Sequence, residues 1–194
     1  MISAVILAAG QSRRMGKPKA NLPWGDTTVL GHILLILEKG GIDESVVVVG
    51  EVPVHLVQKG LYHPVHFIHN PRAAQSGMIT SLQVGLCSLS PECCAALVTL
   101  GDQPQIEADV VSALLKRYQL TNCSLLVPSF QNRRGHPWLI ERSMWDAVIG
   151  LDPEKTMRDF LNSHSGDISY METESASIIQ DMDTPADYER FRPN

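Results

Sequence analysis

The chain has 194 residues, 44% of them hydrophobic and 19% charged, with a mean hydropathy near zero. That is enough apolar material for a sizeable core, and it excludes a disordered or membrane-embedded protein. The net charge of -5 comes without any block of lysine or arginine, which argues against a nucleic-acid or anionic-membrane surface while leaving room for a local basic pocket.

Apolar runs such as residues 33–37 and 46–49 fall far short of the roughly 20 residues that span a bilayer. Residues 1–10 carry no basic leader and read as a first core strand rather than a targeting peptide. Short β-branched or apolar runs then recur at residues 3–8, 45–50, 65–68, 95–100 and 124–127, each of a length suited to a buried strand. Between them lie segments of helical period, with Leu30, Ile33, Leu34 and Leu37 on one face and Val110, Val111, Leu114, Leu115 and Tyr118 on another. This β, α alternation predicts an α/β protein with a largely parallel sheet, helices on both faces, and a ligand crevice at the carboxyl ends of the strands. Beyond Pro128 the pattern is less regular. Residues 137–140 and 176–180 read as added strands, and Asp152-Pro153 reads as a helix cap followed by proline in the first turn. No linker-like stretch interrupts the chain, so residues 1–194 are expected to form a single domain. Cys87, Cys93, Cys94 and Cys123 make no CxxC pair and predict reduced, mostly buried thiols in a cytoplasmic protein.

The first strand runs into Leu7-Ala8-Ala9-Gly10-Gln11-Ser12-Arg13-Arg14-Met15-Gly16-Lys17-Pro18-Lys19. Small residues there let backbone N–H groups approach a ligand, and Arg13, Arg14, Lys17 and Lys19 stand beside them, a combination suited to polyphosphate. A P-loop is excluded because five residues separate Gly10 from Gly16 and Pro18 follows Lys17; a dinucleotide fingerprint is excluded because no GxGxxG is present. The segment resembles the LAAGxSxRMGxxK signature of the MobA-like nucleotidyltransferases, and their molybdenum cofactor cytidylyltransferase branch in particular. Only Asn21 departs, from an apolar residue usual at that position. The resemblance implies a Rossmann-like three-layer α/β/α sandwich of the nucleotide-diphospho-sugar transferase type. It places the backbone of Leu7, Ala8, Ala9 and Gly10 against the base, with Ser12 nearby. Arg14 and Lys19 would neutralise the triphosphate and the charge developing during transfer.

Gly101-Asp102-Gln103-Pro104 follows the strand at residues 95–100, on the same expected edge as Gly10. A carboxylate there suits a hard cation bridging phosphates, although an Asp in a tight turn also caps backbone N–H groups. Near the other end, Asp181-Met182-Asp183-Thr184-Pro185 predicts a helix with Thr184 as N-cap, Pro185 in its first turn and Asp187 completing a capping box. That leaves Asp183 for other use. By resemblance these two acidic positions hold the metal, so Asp102 and Asp183 are the expected Mg2+ ligands, with Asp181 in reserve.

Two further segments resemble the family. Residues 69–78 lead into a helix, and the Gly-Met-x-x-Ser stretch at residues 77–81, similar to one in the family, makes Ser76, Gly77 and Ser81 expected nucleotide contacts, with Arg72 a weaker one. Arg133-Arg134-Gly135-His136-Pro137 resembles a segment lying toward the acceptor, with Arg134, Gly135 and His136 as expected contacts. A purely structural His136 is the equal alternative. Adjacent guanidinium groups suit a phosphorylated acceptor. The implied reaction is CMP transfer from CTP to molybdopterin, giving a cytosine dinucleotide cofactor that a molybdenum hydroxylase would receive. Ala9 favours CTP, because guanylyl-transferring relatives read Gly-Gly where this chain has Ala9-Gly10. The alternatives are GTP or another phosphorylated acceptor with the same chemistry, or a non-catalytic carrier of the molybdenum cofactor.

Overall fold

The computed structural model describes residues 1–10, 12, 14–50 and 61–193. Arg13, one of the cations singled out in the glycine loop, lies outside the described residues. In chain order the elements are β1 (Ile2–Ala8), β2 (Pro23–Trp24), β3 (Thr27–Thr28), α1 (Val29–Lys39), β4 (Glu44–Val49), β5 (Val65–His69), α2 (Met78–Cys87), β6 (Ala95–Leu100) and α3 (Ala108–Thr121). There follow β7 (Leu125–Phe130), β8 (Arg133–Arg134), β9 (Trp138–Glu141), α4 (Trp145–Ile149), α5 (Met157–Ser163), β10 (Ile168–Glu172) and α6 (Pro185–Phe191).

The main sheet runs β10-β7-β9-β6-β1-β4-β5, with β8 paired to β7. Strands β5, β4, β1 and β6 are parallel neighbours, as are β7 and β10, whereas β9 lies antiparallel between β6 and β7. The chain therefore builds outward from β1 through β4 and β5, then returns to lay β6 on the other side of β1. That reversal opens a crevice between the carboxyl ends of β1 and β6, the place where open α/β sheets bind ligands. The register Leu7↔Leu100 sets Ala8-Ala9-Gly10 beside Gly101-Asp102.

Alternation along the strands divides the core in two. Ala4, Ile6, Val47, Leu97, Leu126 and Leu139 face α1 and α3, while Val5, Leu7, Val46, Val48, Ala96 and Val98 face α2, α4 and α5. Both sheet faces are thus covered, which is why these strands read as continuous apolar runs. The expected three-layer α/β/α arrangement is observed. Trp24, Trp138 and Trp145 are all buried in it.

Three local expectations are corrected. Residues 176–180 form no strand. Ser175 accepts a hydrogen bond from Ser177 N–H and starts a 3-10 turn, Ala176–Ile179, that buries Ile178 by packing rather than by joining a ladder. The sheet edge beside β7 is taken instead by β10, a strand with no clear alternating pattern in the sequence. Asp152-Pro153 caps no helix. Asp152 holds a turn through Glu154 and Lys155, and α5 begins later, where Thr156 and Asp159 form a reciprocal capping box. All four cysteines are free thiols, but only Cys93 is buried, Cys123 is partly so, and Cys87 and Cys94 are exposed. Among the described residues, no helix is long and apolar enough to cross a membrane.

Candidate active site

A cleft of about 260 Å³ opens at the carboxyl ends of β1 and β6. Of the residues singled out from sequence, Leu7, Ala8, Ala9, Gly10, Ser12, Lys19, Ser76, Gly77, Ser81 and Asp102 all line it. Ala20, Ala73, Met78, Leu100 and Gly101 complete the wall. Arg14, Asp183 and the Arg134-Gly135-His136 segment are not part of that lining.

Local chemistry explains how each piece is held. Ser12 adopts a left-handed backbone, φ 47°, and its carbonyl accepts from Met15 N–H, while its hydroxyl accepts from Lys19 N–H at 3.2 Å. The loop is thereby folded back so that Lys19 begins a 3-10 turn, Lys19–Asn21, closed by Asn21 N–H donating to Pro18 O. Opposite it, Asn70 is buried and its side-chain amide donates to Thr80 and Ser81 while its oxygen accepts from Arg72 N–H. This one side chain joins the end of β5, the loop after it and the first turns of α2, with both amide N–H groups and the carbonyl oxygen engaged inside the fold. Ser76 donates to Arg72 O and shares a hydrogen bond with Thr80. Arg72 itself is exposed, held in the loop by its backbone. Asn70 was missed from sequence, and the available signal was the Asn-Pro pair directly after a strand.

The carboxylates come together across the length of the chain. Lys19 Nζ lies 2.8 Å from Asp102 Oδ2 and 2.7 Å from Asp183 Oδ1, and Arg14 Nη1 lies 3.0 Å from Asp183 Oδ2. The Lys19 side chain is only 11% exposed against 75% for Arg14, so the lysine is the enclosed cation and the arginine the solvent-facing outer one. Asp183 is brought in because Met182 N–H donates to Asp102 O and α6 starts as expected, with Thr184 and Asp187 forming a capping box behind Pro185. Asp181 turns aside: its carboxylate accepts from the buried Gln103 amide. Of the two late aspartates, Asp183 is the one that shares a cation with Asp102.

Burial pushes the Asp102 carboxyl up, against the pull of Lys19 and with added repulsion from Asp181 and Asp183. Asp183 moves the other way, held down chiefly by its hydrogen bond from Lys19. The two differ because Asp102 is the more enclosed, 29% exposed against 45%. Burial alone would lower the Lys19 ammonium, but the hydrogen bonds and charges of both aspartates carry it above its ordinary value.

Asp102 and Asp183 fit a hard divalent cation, since their oxygens already converge on one positive centre. Among the described residues no group of three or more His, Cys, Asp or Glu side chains could hold a metal ion. A pair of carboxylates suits Mg2+, which keeps water and takes phosphate oxygens to complete its shell rather than an all-protein cage.

Farther along the same sheet, beyond β9 from β6, Arg134 is exposed on β8, with Nε donating to Tyr170 Oη at 2.8 Å and Nη1 to Asn162 Oδ1 at 3.0 Å. Gly135 is forced by packing, because a Cβ there would lie 2.4 Å from Ile178 O. His136 stacks on Trp138, with ring centroids 4.7 Å apart, and its backbone N–H donates to Ile178 O. Desolvation lowers its imidazole to about 4, so it is neutral at physiological pH. These three residues occupy the carboxyl end of β7, the same sheet edge as Asp102, and Ile178 links them to the segment leading to Asp183.

A doubly wound sheet, a glycine-bearing loop at its switch point and a lysine spanning two carboxylates define a nucleotidyltransferase. The chain belongs to the MobA-like NTP transferase family, whose domain matches residues 4–168. It is 31% identical to the Escherichia coli molybdenum cofactor cytidylyltransferase over 96% of this chain and 93% of that protein. It is 29% identical to the purine catabolism protein PucB of Bacillus subtilis over 97% of this chain and 94% of that one. Among solved structures, Rv0371c of Mycobacterium tuberculosis superposes with a TM-score of 0.82 at 26% identity, covering 98% of this chain and 97% of the other.

Proposed function

We propose that the protein transfers CMP from CTP to the phosphate of molybdopterin, releasing pyrophosphate and leaving the cytosine dinucleotide form of the molybdenum cofactor. The observation that carries the reading is the Lys19 ammonium held between Asp102 and Asp183 beside the glycine-loop cleft. This is an arrangement for managing the charge of a triphosphate and its Mg2+. An oxygen of the acceptor phosphate attacks the α-phosphorus, the bond from that phosphorus to the β-phosphate oxygen breaks, and pyrophosphate leaves. No protein nucleophile is needed, and the hydroxyls of Ser12, Ser76 and Ser81 are engaged with Lys19 N–H, Arg72 O and Asn70 respectively. Arg14 and Lys19 supply positive charge to the phosphates. Asp102 and Asp183 would hold Mg2+, which when bound would supply Lewis-acid neutralisation of phosphoryl oxygens.

The cytidylyl and molybdopterin assignments are supported by Ala9 in the loop and by the 31% identity to the E. coli cytidylyltransferase. At the acceptor end, Arg134 is pinned by Tyr170 and Asn162 and so offers its guanidinium to an anionic acceptor in a set orientation. His136 contributes a neutral ring rather than charge. In this reading the protein works in the cytoplasm, where its four thiols stay reduced, and hands its product to a molybdenum hydroxylase.

Pyrophosphate release from CTP, GTP, ATP and UTP, each with Mg2+ and molybdenum-loaded molybdopterin, tests the proposal. Turnover with CTP that disappears in Asp102→Ala is the expected result. Turnover with GTP instead overturns the base assignment. Folded protein silent with every nucleotide overturns the transfer to molybdopterin and favours another acceptor or a carrier.

A further inference from the structure

We propose that Lys19 occupies the divalent cation's place in the free protein, so that metal enters only as the nucleotide's phosphates draw the lysine away. This rests on the reading of Asp102 and Asp183 as the metal's ligands. Of the four oxygens on those two carboxylates, three accept from cationic donors: Asp102 Oδ2 and Asp183 Oδ1 from Lys19, and Asp183 Oδ2 from Arg14. A divalent cation held by both carboxylates would have to approach the point on which these oxygens converge, and two positive centres cannot share one position a few ångströms across in a partly desolvated site. Metal binding to the free protein therefore has to break the Lys19 pairings.

The lysine is built to move without disturbing its loop. Its backbone is anchored by Ser12 Oγ and by the turn Lys19–Asn21, while four rotatable methylenes separate that anchor from Nζ. Lys19 and Asp102 both line the cleft, so a triphosphate seated there offers new acceptors within the reach of the side chain. When Nζ turns to phosphate, both carboxylates face the metal, and every charged group keeps a partner throughout. Metal and nucleotide thus help each other to bind, and by linkage the effect is reciprocal.

Opposite signs follow for one substitution. A lysine that only contacts phosphate would leave metal affinity unchanged on removal, and a lysine that only shapes the site would weaken it. A lysine standing in for the metal makes metal binding tighter when it is removed, even as nucleotide binding weakens.

The experiment is an Mn2+ titration without nucleotide, followed by the electron paramagnetic resonance of the free ion. It compares the wild type, Lys19→Met, Lys19→Gln, Lys19→Arg and the double variant Asp102→Asn/Asp183→Asn. Lys19→Met and Lys19→Gln are expected to bind Mn2+ about tenfold tighter or more, with Lys19→Arg close to wild type because a cation is retained. A non-hydrolysable CTP analogue is expected to strengthen Mn2+ binding more in the wild type than in Lys19→Met. If both neutral variants keep native near-ultraviolet circular dichroism yet bind Mn2+ no tighter than wild type, while the double variant loses it, the displacement proposal is overturned and the metal reading stands. If Mn2+ binding is the same in the double variant, or absent from every form with and without the analogue, the metal reading fails and the proposal with it.

Discussion

Two glycines at the carboxyl edge of the sheet meet opposite surroundings. A Cβ on Gly101 would lie 2.9 Å from Ala8 Cβ, so that glycine is needed for β1 and β6 to pass each other. Among the described residues a Cβ on Gly10 would meet nothing within 4 Å, and its backbone is not left-handed, so neither their packing nor φ explains a glycine there. On the proposed function, the glycine keeps space clear for the nucleotide. Gly10→Ala is expected to leave the unfolding midpoint nearly unchanged while weakening CTP binding, measured by calorimetry, by about tenfold or more, the scale on which one extra carbon is felt in a closely fitted site. Equal loss of stability would show that Gly10 serves the fold. Gln103 and Asn70 carry a related lesson: the Asn-Pro pair marked a turn at Asn70 but not its role, and Gln103 gave no signal, because what they do lies in side-chain partners 78 residues away for Gln103 and 10 or 11 for Asn70.

Among the helices, α2 matters most to the site, because it begins at the cleft wall with Met78 and carries Ser81 one turn on. It lies close against the sheet through Gly85, where a Cβ would stand 2.4 Å from Val5 Cγ1 and 3.1 Å from Val48 Cγ2. Gly85→Ala is therefore expected to destabilise the protein by about 1–3 kcal/mol through overpacking, although alanine is the better helix former. Denaturant unfolding measures this, and a gain in stability would mean that the helix–sheet spacing relaxes freely. The helices also show what periodicity could tell. The faces of α1 and α3 were legible because Leu30, Ile33, Leu34 and Leu37, and Val110, Val111, Leu114 and Leu115, are buried at helical spacing. The segment 176–180 was not, since a short apolar run carries no period and Ser175 offered its backbone a local alternative.

The two ends of the chain meet around the sheet: Asp183 reaches Lys19, and Tyr188 Oη donates to Pro23 O. Between them His136 is held neutral against Trp138, which ties global stability to pH. Its imidazole titrates near 6.5 when unfolded and at about 4 in the fold, so between those values the unfolded chain binds more protons. The stabilisation from a neutral His136 is complete above about pH 6.5 and is lost as pH falls toward 4. Between pH 7 and 4.5 the wild type is expected to lose about 2 kcal/mol more stability than His136→Asn. Parallel pH profiles for the two proteins would show that the ring is solvated in the fold.

The sequence by itself determined the α/β class, the buried strands, the glycine loop, and the two acidic segments. Each of these is written in local periodicity, in residue size at a turn, or in a motif only a few residues long. Only the tertiary structure decided that Asp183 rather than Asp181 shares a cation with Asp102, that Asn70 and Gln103 hold the site together, and that residues 176–179 turn instead of extending. Those outcomes depend on which distant groups are brought within hydrogen-bonding reach, and a linear pattern does not encode distances across a folded sheet.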